Sequence, residues 1–508
     1  MSFDDKHYTP EWLARYKDEH EARVRDDARH GRAVLDGMPL KVTLELTADC
    51  DLYCRHCEFP EPREEGREKN YKMDTPFADY RNLVVPSLFP QLRILNPTVV
   101  GEPLMVPYLD ELLADCARYK VGLEINTNGM RLDEAMIRRI GPHTASLVVS
   151  FDGGTRRTFN RIRTGGEFLA ITRNMMLFDR WRRHKAGDSA FPGLYMACTL
   201  LRDNIEELPT MIEIASLLRV DQLRASWMIA FTERLNSASC LQHRALTNAC
   251  LRAGRTKAEE LGVAVQLPAD LAGPTEEEIL SATPNFSSPT DGPLPHLKEL
   301  LAARDADAEA WAAAVEISAR RIKPAAARAD AASKSDGAKS QTLSASPEAG
   351  ALAGHAVQAE AAAPLGGGVV IPLAAVGGIT HLAEGLRQSP EERRMQRAGS
   401  GFVAAEPSLE GAAPDGKPRY TCKFLWNELF INVSGDVAPC CTQGRPVVGN
   451  IHDRQLVDIW NGLEMQEMRR RLYEGDPLPV CRDCNYNTQL GHGDYKEGTW
   501  FVKLDRKL

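Results

Sequence analysis

The chain has 508 residues, 43% hydrophobic and 26% charged, an ordinary balance for a soluble globular protein. Asp and Glu outnumber Lys and Arg by 70 to 62, a net charge of −8 that does not favour a protein living on a phosphate backbone. The charged N-terminus lacks an apolar signal core, and the longest uncharged run, 361–380, contains Pro364, Pro372 and five glycines. Neither a secretory signal nor a membrane helix is therefore expected, and the expected compartment is the cytoplasm.

At about 150 residues per domain the length predicts roughly three domains. Between 301 and 370, however, 25 of 70 residues are alanine, mixed with Ser, Gly, Pro and Asp. Such a tract has few large side chains to bury, which leaves about 360 to 400 residues to fold, or two domains. In chain order, residues 1–38 read as an N-terminal helical extension, with an acidic-basic helix over 11–32 packed on the adjoining domain. Residues 39–262 alternate β-branched runs with amphipathic stretches. Strands are expected over 41–47, 98–101, 121–126, 145–151, 193–200 and 222–230, with helices over 76–89, 108–119, 133–140, 168–184 and 205–218. Asp203 and Asn204 are good N-cap residues for the last of these. Six strands with a helix between each pair imply parallel strands and right-handed crossovers, hence an α/β barrel or partial barrel with functional groups at the strand C-termini. Residues 263–419 read as a largely disordered low-complexity insertion. From 420 to 508 order returns, with a hairpin over 430–439 turning at Ser434-Gly435-Asp436 and a helix over 456–471.

Twelve cysteines in a reducing compartment do not make a disulfide framework. Cys116, Cys198, Cys240 and Cys250 stand alone and read as small buried hydrophobes. The other eight cluster near the two ends of the chain. Cys50-Asp-Leu-Tyr-Cys54-Arg-His-Cys57 opens just after a predicted strand. Three thiolates on one loop do not saturate a tetrahedral zinc, but they can hold three corners of a [4Fe–4S] cluster and leave one iron open. A zinc knuckle completed by His56 or Asp49 is the competing reading.

The C-x3-C-x2-C spacing resembles that of the radical S-adenosylmethionine (SAM) superfamily. The resemblance implies a partial (β/α)6 TIM-like barrel and an open iron that chelates the amino and carboxylate groups of SAM. It further implies cleavage of SAM to a 5′-deoxyadenosyl radical that abstracts a substrate hydrogen. Further motifs fall at strand ends in the expected order. Gly101-Glu102-Pro103 resembles the motif that receives the SAM ammonium, and Asn126-Thr127-Asn128-Gly129 resembles the ribose-contacting motif. Ser150-Phe151-Asp152-Gly153 closes the next strand. By the same resemblance Ser150 and Arg163 are candidates for the SAM carboxylate, with Arg157 and Arg161 as competitors, and His56 is placed near the adenine. The SAM-binding set is thus His56, Gly101, Glu102, Asn126, Asn128, Ser150, Asp152 and Arg163.

Cys422, Gly435 and Cys440 follow the opening pattern of SPASM/Twitch auxiliary-cluster domains, in which a hairpin carries ligands at its start and end. Val448-Gly449-Asn450-Ile451 and Asp458-Ile459-Trp460-Asn461 also resemble that family, before a closing Cys481-x2-Cys484. Cys422, Cys440, Cys481 and Cys484 would saturate one auxiliary [4Fe–4S] cluster, with Cys441 able to replace Cys440. No cysteine follows Cys484, which points to the shorter, one-cluster Twitch-like form. A four-cysteine zinc ribbon is the alternative. Trp426 and Trp460 read as core packing.

Two [4Fe–4S] clusters and SAM are therefore the expected cofactors, with electrons supplied by a reductant such as flavodoxin or ferredoxin and no nucleic-acid or membrane partner. The kit resembles dehydrogenases of aminocyclitol antibiotic biosynthesis, where the auxiliary cluster accepts an electron, and it also serves peptide maturases that form thioether or carbon–carbon crosslinks. About 38 residues precede the first strand, too few for the winged-helix module that peptide maturases often carry, which tilts the expectation toward a small sugar- or cyclitol-like molecule. A precursor peptide is the alternative, and an Fe–S/SAM-binding sensor or scaffold the non-enzymatic one. Candidate acids or bases by position are Glu45, Glu124, Arg224 and Glu428.

Overall fold

The computed structural model describes residues 9–57, 74–185, 192–228, 233–286, 297, 301–302, 422, 424–440 and 445–482. The expected disorder of 263–419 does not hold over 263–286. There Val265–Gln266 pairs parallel with Leu223–Arg224 at the edge of the sheet, and Glu276–Ser281 is a helix with Thr275 and Glu278 forming a capping box. Most of the remaining stretch lies outside the described residues, as do Cys441 and Cys484. The strands are β1 (Lys41–Leu44), β2 (Tyr53–Cys54), β3 (Ile94–Asn96), β4 (Gly122–Thr127), β5 (Thr144–Ser150), β6 (Arg163–Thr164), β7 (Gly193–Leu200), β8 (Gln222–Trp227) and β9 (Val265–Gln266). They continue with β10 (Glu428–Ile431), β11 (Asp436–Ala438) and β12 (Gly449–Asn450). Ten of them form one sheet in the order β12-β11-β10-β1-β3-β4-β5-β7-β8-β9. The run β1-β3-β4-β5-β7-β8 is parallel throughout and supplies the six strands of the partial barrel.

Five of those six strands lie where the sequence places them, within a few residues at their ends. The second does not: it is Ile94–Asn96, four residues before the expected 98–101. Pro97 explains the shift, because it has no N–H to give a ladder and ends the strand before the β-branched Thr98-Val99-Val100 run. The expected helix over 456–471 is also two helices, Leu456–Trp460 and Leu463–Tyr473, because Asn461 turns its side chain outward to pair with both N–H and C=O of Leu35. Asn204 does not cap its helix with its side chain. Its amide instead donates to the carbonyls of Asp152 (3.0 Å) and Thr199 (2.8 Å). Cys116, Cys198, Cys240 and Cys250 are all buried, as expected.

The C-terminal hairpin is spliced onto the barrel sheet. β10 runs parallel to β1 in the register Lys41↔Glu428 to Leu44↔Ile431, and β11 and β12 add antiparallel beyond it. Around this seam the Trp426 indole donates to Arg32 O and the Trp460 indole to Gly37 O, each at 2.8 Å. Arg469, fully buried, reaches the carbonyls of Ala33, Leu425 and Trp460, each at 2.8 Å. The N-terminal helix α1 (Pro10–His30) turns an unusually polar face inward, burying Lys17 and His20 among its leucine and valine. Lys17 Nζ donates to Leu92 O (2.5 Å) and the His20 ring meets Met38 O (2.7 Å).

Alternation decides what faces the barrel interior. β7 alternates half-buried and fully buried positions along its length, with Gly193, Tyr195, Ala197 and Thr199 on one face. In register with that face lie Gln222 and Arg224 of β8, Asn126 and Glu124 of β4, Lys41 of β1 and Glu428 of β10. There Lys41 Nζ pairs with Glu124 at 2.9 Å, and Arg224 stacks 3.8 Å over the Tyr195 ring.

Burial pushes the Glu428 carboxyl up from 4.5 to about 7, with Glu124 adding to the effect and Lys41 opposing it. The folded chain therefore holds this proton more tightly than the unfolded one. Its contribution to stability is complete below the unfolded value and is lost as pH rises through about 7. Glu428→Gln should flatten the fall in stability between about pH 5 and pH 8, by at most about 1.4 kcal/mol per pH unit. Urea unfolding at several pH values measures this, and an unchanged slope in the variant rules it out.

Candidate functional site

The cysteine loop leaves β1 through Thr47, whose hydroxyl accepts from Asp49 N (3.1 Å), while Asp49 Oδ1 accepts from Cys50 N (3.0 Å). These local bonds turn the chain across the barrel mouth. The loop then runs into β2, which pairs antiparallel with β6 in the register Tyr53↔Thr164 and Cys54↔Arg163. Arg55 N adds a bond to Ile162 O (2.9 Å), and Cys57 N closes a turn on Cys54 O (3.2 Å).

Gly101 holds the second loop against this one. A methyl at Gly101 would sit 2.2 Å from Thr47 O and 2.8 Å from Asp49 O, so only glycine permits the approach. Next to it Glu102 N donates to Asp49 O (2.7 Å). The Glu102 carboxylate, 1% exposed, accepts from Thr127 Oγ1 (2.7 Å), Asn128 N (2.8 Å) and Leu104 N (3.2 Å). Burial nevertheless dominates and lifts it to about 7. Glu102 thus ties the ends of β3 and β4 together.

Asn128 is buried, and its amide donates to Asp51 Oδ1 (2.7 Å) and toward Cys50 Sγ (3.8 Å). Asp51 also takes Arg131 Nε at 2.9 Å. Past β5, the fully buried Asp152 accepts from Thr199 N on Oδ1 and from Arg163 Nε on Oδ2, both at 2.7 Å. The other edge of the Arg163 guanidinium donates to Cys54 Sγ at 3.7 Å. His56 Nε2 lies 3.6 Å from Asp152 Oδ2. Burial lowers the His56 pKa, so the ring is neutral at pH 7, and its buried Nδ1 has no hydrogen-bond partner among the described residues.

The structure therefore gathers Cys50, Cys54, His56, Gly101, Glu102, Asn128, Asp152 and Arg163 at one mouth. Asn126 is exposed on the interior face of β4, and Ser150 is half-buried at the end of β5, level with Ala197. Of the three arginine candidates, Arg157 and Arg161 are exposed, whereas Arg163 is buried against the cysteine loop. Two contributors were not singled out from sequence. Asp51 could have been, since it sits inside the cysteine motif. Glu207, which accepts from Gly154 N (2.8 Å), Thr155 N (3.1 Å) and the Thr158 hydroxyl (2.6 Å), carries no local signal.

Among the described residues no three His, Cys, Asp or Glu side chains are gathered closely enough to hold a metal ion. The donor set nonetheless fits an iron–sulfur cluster. Cys50, Cys54 and Cys57 are half-buried on one loop, and N–H groups from Asn128 and Arg163 already point at two of the sulfurs. Burial pushes the bare Cys50 thiol up to about 11, so a cationic partner is needed for it to act as a thiolate.

In the C-terminal part, Gly435 (φ 81°) makes the turn that brings Cys440 to the end of the hairpin. Asn432 Oδ1 accepts from Ser434 N (3.0 Å) and Asp436 N (2.8 Å) to fix that turn. Cys422, Cys440 and Cys481 are half-buried, with Cys422 and Cys481 packed on the core.

A family model for an iron–sulfur cluster-binding domain, SPASM, matches residues 422–485. The chain is 24% identical over 194 residues to the mycofactocin maturase MftC of Mycobacterium tuberculosis strain H37Rv, covering 37% of this chain and 46% of that protein. It is also 24% identical over 195 residues to the tungsten-containing aldehyde ferredoxin oxidoreductase cofactor-modifying protein of Pyrococcus furiosus, covering 38% and 53%. Residues 422–485 thus match a SPASM-type domain, and the cysteine loop upstream resembles that of radical SAM proteins. The chain spans about half the length of the curated relatives it matches. Among solved structures, Streptococcus suis SuiB bound to precursor peptide SuiA aligns with a TM-score of 0.42 at 12% identity, covering 92% of this chain and 73% of that one. No helix among the described residues is long and apolar enough to cross a membrane.

Gly101→Ala should force the Thr47–Asp49 carbonyls apart and cost roughly 1–3 kcal/mol of stability, with a displaced cysteine loop. Iron incorporated on anaerobic reconstitution should fall in parallel. Wild-type stability and iron content in the variant would contradict so close an approach of the two loops.

Proposed function

We propose that Cys50, Cys54 and Cys57 hold a [4Fe–4S] cluster with SAM bound beside it at the barrel mouth. We further propose that Cys422, Cys440, Cys481 and Cys484 hold an auxiliary [4Fe–4S] cluster, and that the protein modifies a precursor peptide by radical hydrogen abstraction. The observation that supports this most strongly is the cysteine loop itself, docked by the β2–β6 pairing with side-chain N–H groups on two of its sulfurs. When bound, the first cluster supplies the electron that splits SAM and yields a 5′-deoxyadenosyl radical.

The chain's own residues divide the remaining work. Glu102 and Asn128 fix the strand ends around the loop, while Asn126 and Ser150 offer polar groups toward the interior for SAM. Glu124, Glu428 and Arg224 line that interior below the mouth and are the groups available to handle a substrate proton or charge. A low-potential flavodoxin or ferredoxin is the reductant this reading calls for.

The sequence-based tilt toward a sugar or cyclitol finds no support among the relatives, whose names include maturases and a cofactor-modifying protein. Peptide modification is therefore the preferred reading. Reconstituted protein should carry about eight irons, and a Cys50/Cys54/Cys57 triple alanine variant about four, with loss of 5′-deoxyadenosine formation. Retention of all the iron by that variant would sink the ligand assignment. Intact clusters with no SAM cleavage, even with substrate, would favour a sensor. Mass spectrometry of deuterium transfer into 5′-deoxyadenosine, from a labelled neighbouring precursor peptide or from labelled cyclitols, decides the substrate class.

A further inference from the structure

Arg163 is held at two points of its guanidinium against the cysteine loop. It is 7% exposed at the start of β6, directly across the ladder from Cys54. Its Nε is held by Asp152 Oδ2 (2.7 Å), and its Nη1 donates to Cys54 Sγ (3.7 Å). Asp152 is itself immobilised, since Oδ1 accepts from the β7 backbone at Thr199 N (2.7 Å) and its own carbonyl accepts from Asn204 (3.0 Å). On the far side of the loop the Asn128 amide is fixed by Asp51 and points at Cys50 Sγ (3.8 Å). Two of the three sulfurs in the motif thus receive N–H groups from side chains anchored in other parts of the barrel.

A thiol is a weak acceptor, whereas a thiolate bound to iron carries real negative charge and accepts strongly. That charge increases when a cluster gains an electron. Donors aimed at the sulfurs therefore stabilise the reduced form more than the oxidised one and raise the reduction potential, the more so where water is excluded. The guanidinium adds a full positive charge to this effect. Asp152 opposes it, because its carboxylate partly cancels that charge while fixing where the guanidinium points.

We propose that Arg163, aimed by Asp152, and Asn128 set the reduction potential of the cluster on Cys50, Cys54 and Cys57 through N–H···S bonds. Arg163 is on this view a positioning and tuning residue through its Nε and Nη1, whatever further contact it makes to SAM. The inference rests on the proposed cluster assignment. The electron concerned comes from the external low-potential reductant, and no bond is made or broken at Arg163.

The test is an anaerobic redox titration of the reconstituted full chain, followed by electron paramagnetic resonance without SAM. The Cys50/Cys54/Cys57 triple alanine variant provides the auxiliary-cluster signal to subtract. Iron content and SAM affinity are measured alongside. Arg163→Met should shift the midpoint to more negative potential with iron retained. Arg163→Lys, which keeps the charge without the planar fork, should shift it less. Asp152→Asn, which keeps an oxygen toward Arg163 but removes the opposing charge, should shift it the other way. Asn128→Ala should give a smaller negative shift, and it decides the matter if the Arg163 variants lose iron. A midpoint unmoved in iron-replete variants overturns the proposal, as does a loss of SAM affinity in Arg163→Met with the midpoint unchanged. Equal iron in wild type and the triple variant would instead bring down the underlying cluster assignment.

Discussion

The buried pair of Asp152 and Arg163 is the constraint on which the site depends. Taking two charges out of water costs several kcal/mol per ion, and the cost is offset only when geometry is good and the remaining polar atoms are satisfied. Here the carboxylate meets a guanidinium and a backbone N–H, both at 2.7 Å. The pair joins the end of β5, the start of β6, the end of β7 and, through Cys54, the cysteine loop. A loop with few apolar side chains of its own has little hydrophobic burial to define its position. Fixed polar partners define it instead, and the short β2–β6 ladder adds the register. The same logic governs Glu102, which is buried because it has three donors to satisfy it and which in turn secures the start of the Asn128 turn.

Much of the barrel was legible because its signals are local. Alternation along 193–200 reproduces β7 at both ends, and Asp133 caps the helix that starts at Glu134 with its side chain on Met136 N. The cysteine spacing was likewise local. The failures share a cause. Lys17, His20 and Arg469 look like surface residues in sequence, yet each is buried because its partners are backbone carbonyls from other segments. No pattern within a helix reveals a carbonyl supplied from elsewhere. β3 was misplaced because β-branched residues after Pro97 mimic a strand whose ladder the proline has already ended. The choice among Arg157, Arg161 and Arg163 was open in sequence because all three lie in one basic run. The Cys54↔Arg163 register resolves which one reaches the loop, and register is a property of two segments.

The pairing of β10 with β1 has the widest consequence for how the two parts of the chain work together. Residues matched by the SPASM family model include β10, yet that strand lies inside the barrel sheet as the neighbour of β1. Without it β1 would be an edge, with its backbone N–H and C=O groups unpaired on one side. With it, Glu428 falls in register with Lys41, and the C-terminal hairpin contributes a wall of the barrel interior. Cys440, a ligand of the proposed auxiliary cluster, follows β11, which pairs with β10 directly. On the proposed assignment, the electron acceptor and the interior wall share one hairpin. A shift of that hairpin would then move the proposed cluster and the interior wall together, because β10 is paired to β1 on one side and to β11 on the other.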